Sequence, residues 1–104
     1  MEWSGNLYNE SKAFIYEDHV LFNKNKTILI AYRAKETNYT IPNSVTTIGE
    51  GAFRDCDSLT SINIPNSVTT IEDRAFYGCT QLPAHIKSDI IKRFGEKVFE
   101  TIFG

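Results

Sequence analysis

The sequence predicts an α+β fold: a short solenoid of about two 23-residue repeats, opened by a β-hairpin and closed by helices. Three observations predict it. Ile41-Pro42-Asn43-Ser44-Val45-Thr46-Thr47-Ile48 returns unchanged as Ile64-Pro65-Asn66-Ser67-Val68-Thr69-Thr70-Ile71. Before the repeats, β-branched and aromatic runs flank an Asn/Lys loop. After them, apolar residues fall four apart. A fixed period between about 20 and 50 residues marks stacked structural units.

The repeat extends beyond the eight identical residues. Ala52-Phe53 matches Ala75-Phe76, Cys56 matches Cys79, and Leu59 matches Leu82, all at an offset of 23 without a gap. Across 41–59 and 64–82, 12 of 19 positions are identical. Most are apolar: Ile41, Val45, Ile48, Ala52, Phe53, Cys56 and Leu59, joined by Ile62 and Ile64. One repeat cannot bury its apolar side alone, so each of these residues is expected inward on its copy. Differing pairs, such as Gly51 and Arg74, Arg54 and Tyr77, and Asp57 and Thr80, are expected outside.

Leu59-x-x-Ile62-x-Ile64 has leucine-rich-repeat spacing. With Ile-Pro-x-Ser-Val-Thr-x-Ile and the Ala-Phe, Cys and Leu that follow, the unit resembles the BspA-like leucine-rich repeat family of bacterial and protozoan surface proteins. The first copy fits almost throughout. The second has Glu72 where that family usually has Gly, and it stops at Leu82, because Pro83 and His85 stand where Thr60 and Ile62 stand one repeat earlier. The resemblance covers about 20–84. It implies a leucine-rich-repeat solenoid, a protein-binding role, and a cell-surface or secreted setting.

Taken in order, 1–38 read as a lead-in and hairpin cap. Trp3 and Tyr8 are scattered aromatics, and Ala13 to Tyr16 is a strand candidate. Val20-Leu21-Phe22 and Thr27 to Tyr32 flank Asn23 to Lys26, the pattern of a β-hairpin. A segment similar to Val20–Thr27 opens or interrupts arrays in the resembling family, usually after a Gly. Here His19 fills that place, so either the turn differs or His19 takes the required angle. Residues 39–82 hold the repeats. Tyr39-Thr40-Ile41 matches Ile62-Asn63-Ile64, so the first regular strand begins near Tyr39, and these strands end at Pro42 and Pro65, which cannot continue a ladder on the amide side. Short extended pieces follow at 45–48 and 68–71, then single helical turns at 51–54 and 74–77. In 83–104, Ile86, Ile90, Phe94, Val98 and Ile102 make an amphipathic stripe. Pro83 suits a helix start and Gly95 a helix stop after Lys92 and Arg93. One helix is expected near 84–94 and a second near 96–102, together covering the last repeat. The alternative use of the stripe is a homodimer interface through Phe99, Ile102 and Phe103. Two closed ends imply a small whole domain or the C-terminal end of a longer array.

Composition narrows the function classes. The 104 residues carry a net charge of -2, which leaves no basic footprint for nucleic acid. The longest strongly apolar run, Ile28 to Tyr32, is too short for membrane insertion. The residues after Met1 form neither a basic nor an apolar leader region, which leaves a cytoplasmic setting open. Three Asn-x-Ser/Thr triplets, at Asn9, Asn25 and Asn38, matter only in a eukaryotic secretory route. Cys56 and Cys79 read as free, buried thiols stacked on each other; neighbouring strands about 4.8 Å apart leave a bond between adjacent repeats as the alternative.

No catalytic constellation, cofactor loop or metal-ligand spacing emerges. Cys56 or Cys79 with His85 could be drawn as a thiol–imidazole pair, but repeated inward positions serve packing. Asp55-Cys56-Asp57 and Glu17-Asp18-His19 read as solvated turns. What remains is surface. The strand face is expected to show Asn38, Thr40, Thr60, Ser61 and Asn63 to a protein partner. Trp3, Tyr8, Tyr32, Arg33, Arg54 and Tyr77 are the candidate anchors, since aromatic and Arg side chains dominate interface energetics. The function expected is a non-catalytic protein-interaction module of adhesion type. The alternative is a structural or terminal cap module with no ligand of its own.

Overall fold

Residues 14–99 are described by the computed structural model. Trp3, Tyr8, Ile102 and Phe103 lie outside them. The described chain opens as an antiparallel meander of β1 (Phe14–Glu17), β2 (Val20–Asn23) and β3 (Ile28–Tyr32). The first turn places Asp18 at φ 48 and His19 at φ 67. Two consecutive left-handed residues make the turn whose twist matches the flanking strands. His19 therefore takes the angle that glycine usually supplies. In the second turn the Asn23 carboxamide replaces missing ladder partners. Its Oδ1 accepts from the Thr27 and Ile28 amides, both at 2.8 Å, and its Nδ2 donates to Thr27 Oγ1 at 2.9 Å.

From β3 onward the pairing becomes parallel. β5 (Thr47–Ile48) pairs with β3, and β7 (Thr70–Ile71) pairs with β5, so the larger sheet runs β1-β2-β3-β5-β7. A second, two-stranded sheet pairs β4 (Asn38–Thr40) with β6 (Ser61–Asn63), also parallel. The repeat-to-repeat registers, Thr47 with Thr70 and Tyr39 with Ile62, carry the 23-residue offset of the sequence.

A third set of hydrogen bonds joins the turns that follow β5 and β7. The Phe53 amide donates to the Ala75 carbonyl and the Phe76 amide to Val98, both at 2.7 Å; the Tyr32 amide donates to Ala52 at 2.8 Å. Ala31-Tyr32, Ala52-Phe53, Ala75-Phe76 and Val98-Phe99 are thus four stacked copies of one small–aromatic pair. Their rings form a column through the core. Centroids lie 4.9 Å apart from Tyr32 to Phe53, 4.9 Å from Phe53 to Phe76, and 5.6 Å from Phe76 to Phe99.

Most expected core positions are inward. Ile41, Val45, Ile48, Ala52, Phe53, Leu59 and Ile62 are buried, as are Val68, Ile71, Ala75, Phe76, Cys79 and Leu82. Cys56 and Ile64 are only partly buried. Both lie where the neighbouring layer is not a matching copy. Cys56 borders Arg33, Ala34 and Lys35, and Ile64 faces the helical segment, whose Arg93 donates to its carbonyl at 3.4 Å.

The turns need left-handed backbone at matched places. Gly51 (φ 65) corresponds to Arg74 (φ 57), and Asp55 (φ 58) to Gly78 (φ 82). Each copy places glycine at one of these sites and an ordinary residue at the other. The pairs differ because glycine and a larger residue trade places, not only because the sites face solvent.

α1 spans Ala84–Phe94. Pro83 sits just outside it with extended backbone, and its carbonyl accepts from the Ile86 and Lys87 amides at 3.1 Å. Gly95, at φ 95, ends the helix and donates to the Ile91 carbonyl at 2.8 Å. Ile90 is its buried residue, with Ile86 and Phe94 packed against the core. Where a second helix is expected near 96–102, residues 100–102 lie outside the described residues, and the described part, up to Phe99, holds a 3₁₀ turn over Glu96–Val98. Its job is different from the expected one: it returns Val98 and Phe99 to the positions of Ala75 and Phe76 one repeat later. Phe99 packs on Phe76 in this column and stays partly exposed; nothing among the described residues supports the expected homodimer interface, whose other residues, Ile102 and Phe103, lie outside them.

Candidate interaction surface

Parallel pairing of β4 and β6 sets the geometry of the strand face. Side chains alternate along a strand, so Tyr39 and Ile62 turn inward while their neighbours turn out. Asn38 pairs in register with Ser61, and Thr40 with Asn63. All four are exposed. They form a small polar patch, two residues by two. Thr60 stands just before β6. Its amide donates to the Thr37 carbonyl at 2.7 Å, and its hydroxyl donates to the same oxygen at 3.0 Å. That hydroxyl hydrogen serves the fold.

Other repeated hydroxyls are also occupied. Thr46 Oγ1 donates to the Thr27 carbonyl at 3.3 Å, Thr69 Oγ1 to Thr46 at 3.5 Å, and Ser44 Oγ to Lys26 at 2.7 Å. The threonine bond recurs in both layers, whereas Ser67, the copy of Ser44, has a buried hydroxyl without a partner.

Beneath the patch, Tyr39 packs 4.8 Å from Tyr32, which stacks on Phe53. Burial, helped by the charges of neighbouring groups, pushes the Tyr39 phenol up to about 12. Burial also raises Tyr32. Tyr32 was expected among the surface anchors, but it is 1% exposed. Its apolar ring, 21 residues before Phe53, fills the matching place in the aromatic column.

Two expected anchors do meet at the surface. The Arg54 guanidinium lies 5.9 Å over the Tyr77 ring. Beside them Arg74 pairs with Glu50 at 3.2 Å. With Gly51 these residues line an open groove of about 490 Å³ on the turn side. None of Asn38, Thr40, Thr60, Ser61 or Asn63 lines it, so the polar patch and the Arg/Tyr groove are separate features. Arg33 is exposed and donates to the Tyr32 carbonyl at 3.0 Å.

His19 and His85 are exposed, at a turn and at the helix start. Among the described residues, no group of three or more His, Cys, Asp or Glu side chains is arranged to hold a metal ion. No described helix is long and apolar enough to cross a membrane.

Comparison with known proteins gives this geometry a family. Residues 31–103 match the family described as "BspA type Leucine rich repeat region (6 copies)". This chain belongs to the BspA-type leucine-rich repeat family. The match reaches past Leu82, where the sequence pattern alone had ended, and includes the Val98-Phe99 layer. A leucine-rich repeat protein from Eubacterium ventriosum ATCC 27560, solved by crystallography at 2.50 Å, is similar over 69% of this chain at 29% identity, with a TM-score of 0.51. The likeness spans 26% of that longer protein. No curated protein matches the chain. BspA-type leucine-rich repeats are generally non-catalytic and often surface-associated, and leucine-rich repeat domains generally bind proteins.

Proposed function

We propose that this chain is a protein–protein interaction module of a bacterial surface or secreted leucine-rich repeat protein, of adhesion type. Its architecture is a short solenoid, with the β1–β3 meander as the N-terminal cap and the α1 segment as the C-terminal cap. The contact face comprises Asn38, Thr40, Thr60, Ser61 and Asn63. The observation that carries the reading is the in-register pairing of β4 with β6, which sets exposed hydrogen-bonding side chains side by side over a rigid aromatic layer. A standard interface buries about 800 Å² per partner, so contact would extend beyond the patch over most of one side.

A second reading is favoured by the share of the solved relative that the chain matches, 26%. On this reading the chain is the terminal cap module of a longer array and binds nothing by itself.

The test is a pull-down with the folded chain beside a variant carrying Lys at 38, 40, 61 and 63. Thr60 is left intact because its hydroxyl supports the ladder. Host-cell, extracellular-matrix and bacterial proteins serve as separate prey. A protein held by the unaltered chain and lost from the variant supports the proposed face. Retention of nothing favours the cap module, and equal retention by both baits moves contact away from the strand face.

A further inference from the structure

Cys56 and Cys79 share one repeat position but not one environment. The Phe53–Ala75 and Asp55–Tyr77 backbone bonds, at 2.7 and 2.8 Å, hold 53–56 beside 76–79. This register sets Cys56 beside Cys79, whose thiol reaches back across the boundary to the Phe53 carbonyl at 3.0 Å. Chains bonded in this way run about 4.8 Å apart, inside the roughly 4.4–6.8 Å Cα window that a disulfide spans. Both sulfurs are free thiols.

Their exposures are unequal. Cys79 is 3% exposed, and its thiol donates to the Phe53 carbonyl at 3.0 Å. Cys56 is half-buried in a surface hollow with Arg33, Lys35, Arg54, Asp55 and Asp57 around it. The neighbouring Cys79 side chain lowers the Cys56 pKa, and Arg33 lowers it further against the burial and the two aspartates. The Cys56 side chain and burial push Cys79 up. When Cys56 ionises, the single Cys79 hydrogen can turn from the Phe53 carbonyl to the Cys56 sulfur. Reactive cysteines are partly exposed thiolates near positive charge, and buried ones are inert.

We infer that Cys56 is a modification site for small hydroperoxides, with Cys79 as the resolving thiol, so that oxidation closes a disulfide between the two repeats. In the first step the Cys56 thiolate attacks a peroxide oxygen, the O–O bond breaks, and hydroxide leaves as Cys56 becomes a sulfenic acid. In the second, the Cys79 sulfur attacks the Cys56 sulfur and loses its proton. The S–S bond forms, the S–O bond breaks, and water leaves. Two thiols lose two electrons, and hydrogen peroxide becomes two waters. Cys79 need never meet the oxidant, which matches its burial.

The experiment treats the reduced full chain with hydrogen peroxide and reads alkylatable thiols, intact mass and cross-linked peptides. The expected result is joint loss of both thiols, a mass lower by two hydrogens, and a Cys56–Cys79 peptide from a chain that stays monomeric. Cys79→Ser should accumulate a Cys56 sulfenic acid that a β-diketone probe traps, whereas Cys56→Ser should leave Cys79 unmodified. Persistence of both thiols in the unaltered chain, or equal oxidation of the two variants, overturns the inference. A short iodoacetamide pulse on the native chain removes dependence on variant folding. Cys56 should label at least roughly tenfold faster than Cys79, and equal rates overturn the assignment.

Discussion

The two copies of Ile-Pro-Asn-Ser-Val-Thr-Thr-Ile are identical in sequence, yet different structures lie beyond them. On the far side of the first copy lies β3, with Leu29 on Ile48 and Tyr32 on Phe53. On the far side of the second lies a segment reached only after α1, with Phe99 on Phe76. Neither closing segment repeats the whole unit. Each contributes the small–aromatic pair, and β3 also supplies the parallel partner of β5. The difference teaches which part of the unit a neighbour must supply: a backbone hydrogen-bond partner and a ring at the turn, with Tyr32 donating to Ala52 on one side and Val98 accepting from Phe76 on the other.

The aromatic column gives the sharpest way to break this comparison. Phe53 and Phe76 are fully buried between rings on both sides. Replacing either with Ala should cost about 3–5 kcal/mol in urea unfolding. Phe99 is partly buried and packs on Phe76 at the column's end, so Phe99→Ala should cost clearly less, about 1–3 kcal/mol. Equal losses at 53 and 99 would mean that the end layer is as deeply packed as the middle.

Next come the exchanged left-handed positions. A Cβ at Gly78 would collide with the Asp55 carboxylate and lie 3.2 Å from the Asp55 backbone nitrogen and Cα, at φ 82. Gly78→Ala should cost about 2 kcal/mol or more. Gly51 has room for a Cβ but φ 65, so Gly51→Ala should cost only about 1 kcal/mol. Arg74 takes nearly the same angle without being glycine. Arg74→Gly should therefore gain a few tenths to about 1 kcal/mol, less what the exposed Glu50 ion pair contributes. Thermal midpoints of the three variants check the order, and a neutral Gly78→Ala would contradict the close contact at Asp55.

These angles show why part of the fold was hidden in the sequence. The 23-residue period, the hairpin and the 84–94 helix follow from identities and spacings that can be read directly. The left-handed sites were hidden because Gly and Arg, or Asp and Gly, look like unrelated surface choices. Tyr32 looks like a surface anchor in the sequence because its offset to Phe53 is 21 rather than 23, which breaks the alignment. Val98-Phe99 does keep the 23-residue offset to Ala75-Phe76, a signal that was present. It was obscured because Ile86, Ile90, Phe94 and Val98 also fall four apart, and the helical period claimed Val98. Of the site, the alternation of β4 and β6 was legible. The use of the Thr60 hydroxyl by the Thr37 carbonyl was not, because it depends on which layer lies beside it.

The smallest expected effect concerns the strand face and appears only in alkali. Tyr39 is raised from 10.0 to about 12, mainly by burial. A raised folded pKa means that the native state holds the proton more tightly than the unfolded chain. The associated stability is full below about pH 10, falls as pH rises toward about 12, and is lost above that. Tyr39→Phe should flatten the fall in urea midpoint across this range, leaving a residual slope from Tyr32. An unchanged slope would place the alkaline sensitivity elsewhere.

Glu96–Phe99 completes the stack begun by β3 and the two repeats. Amide hydrogen exchange tests it most directly, because the Phe53, Arg74 and Phe76 amides donate to Ala75, Lys97 and Val98 at 2.7 Å. Arg74 and Phe76 should be protected, with Phe76 within about tenfold of Phe53. Free-peptide exchange at Arg74 and Phe76, with Phe53 still protected, would contradict it and leave the second repeat without its closing layer.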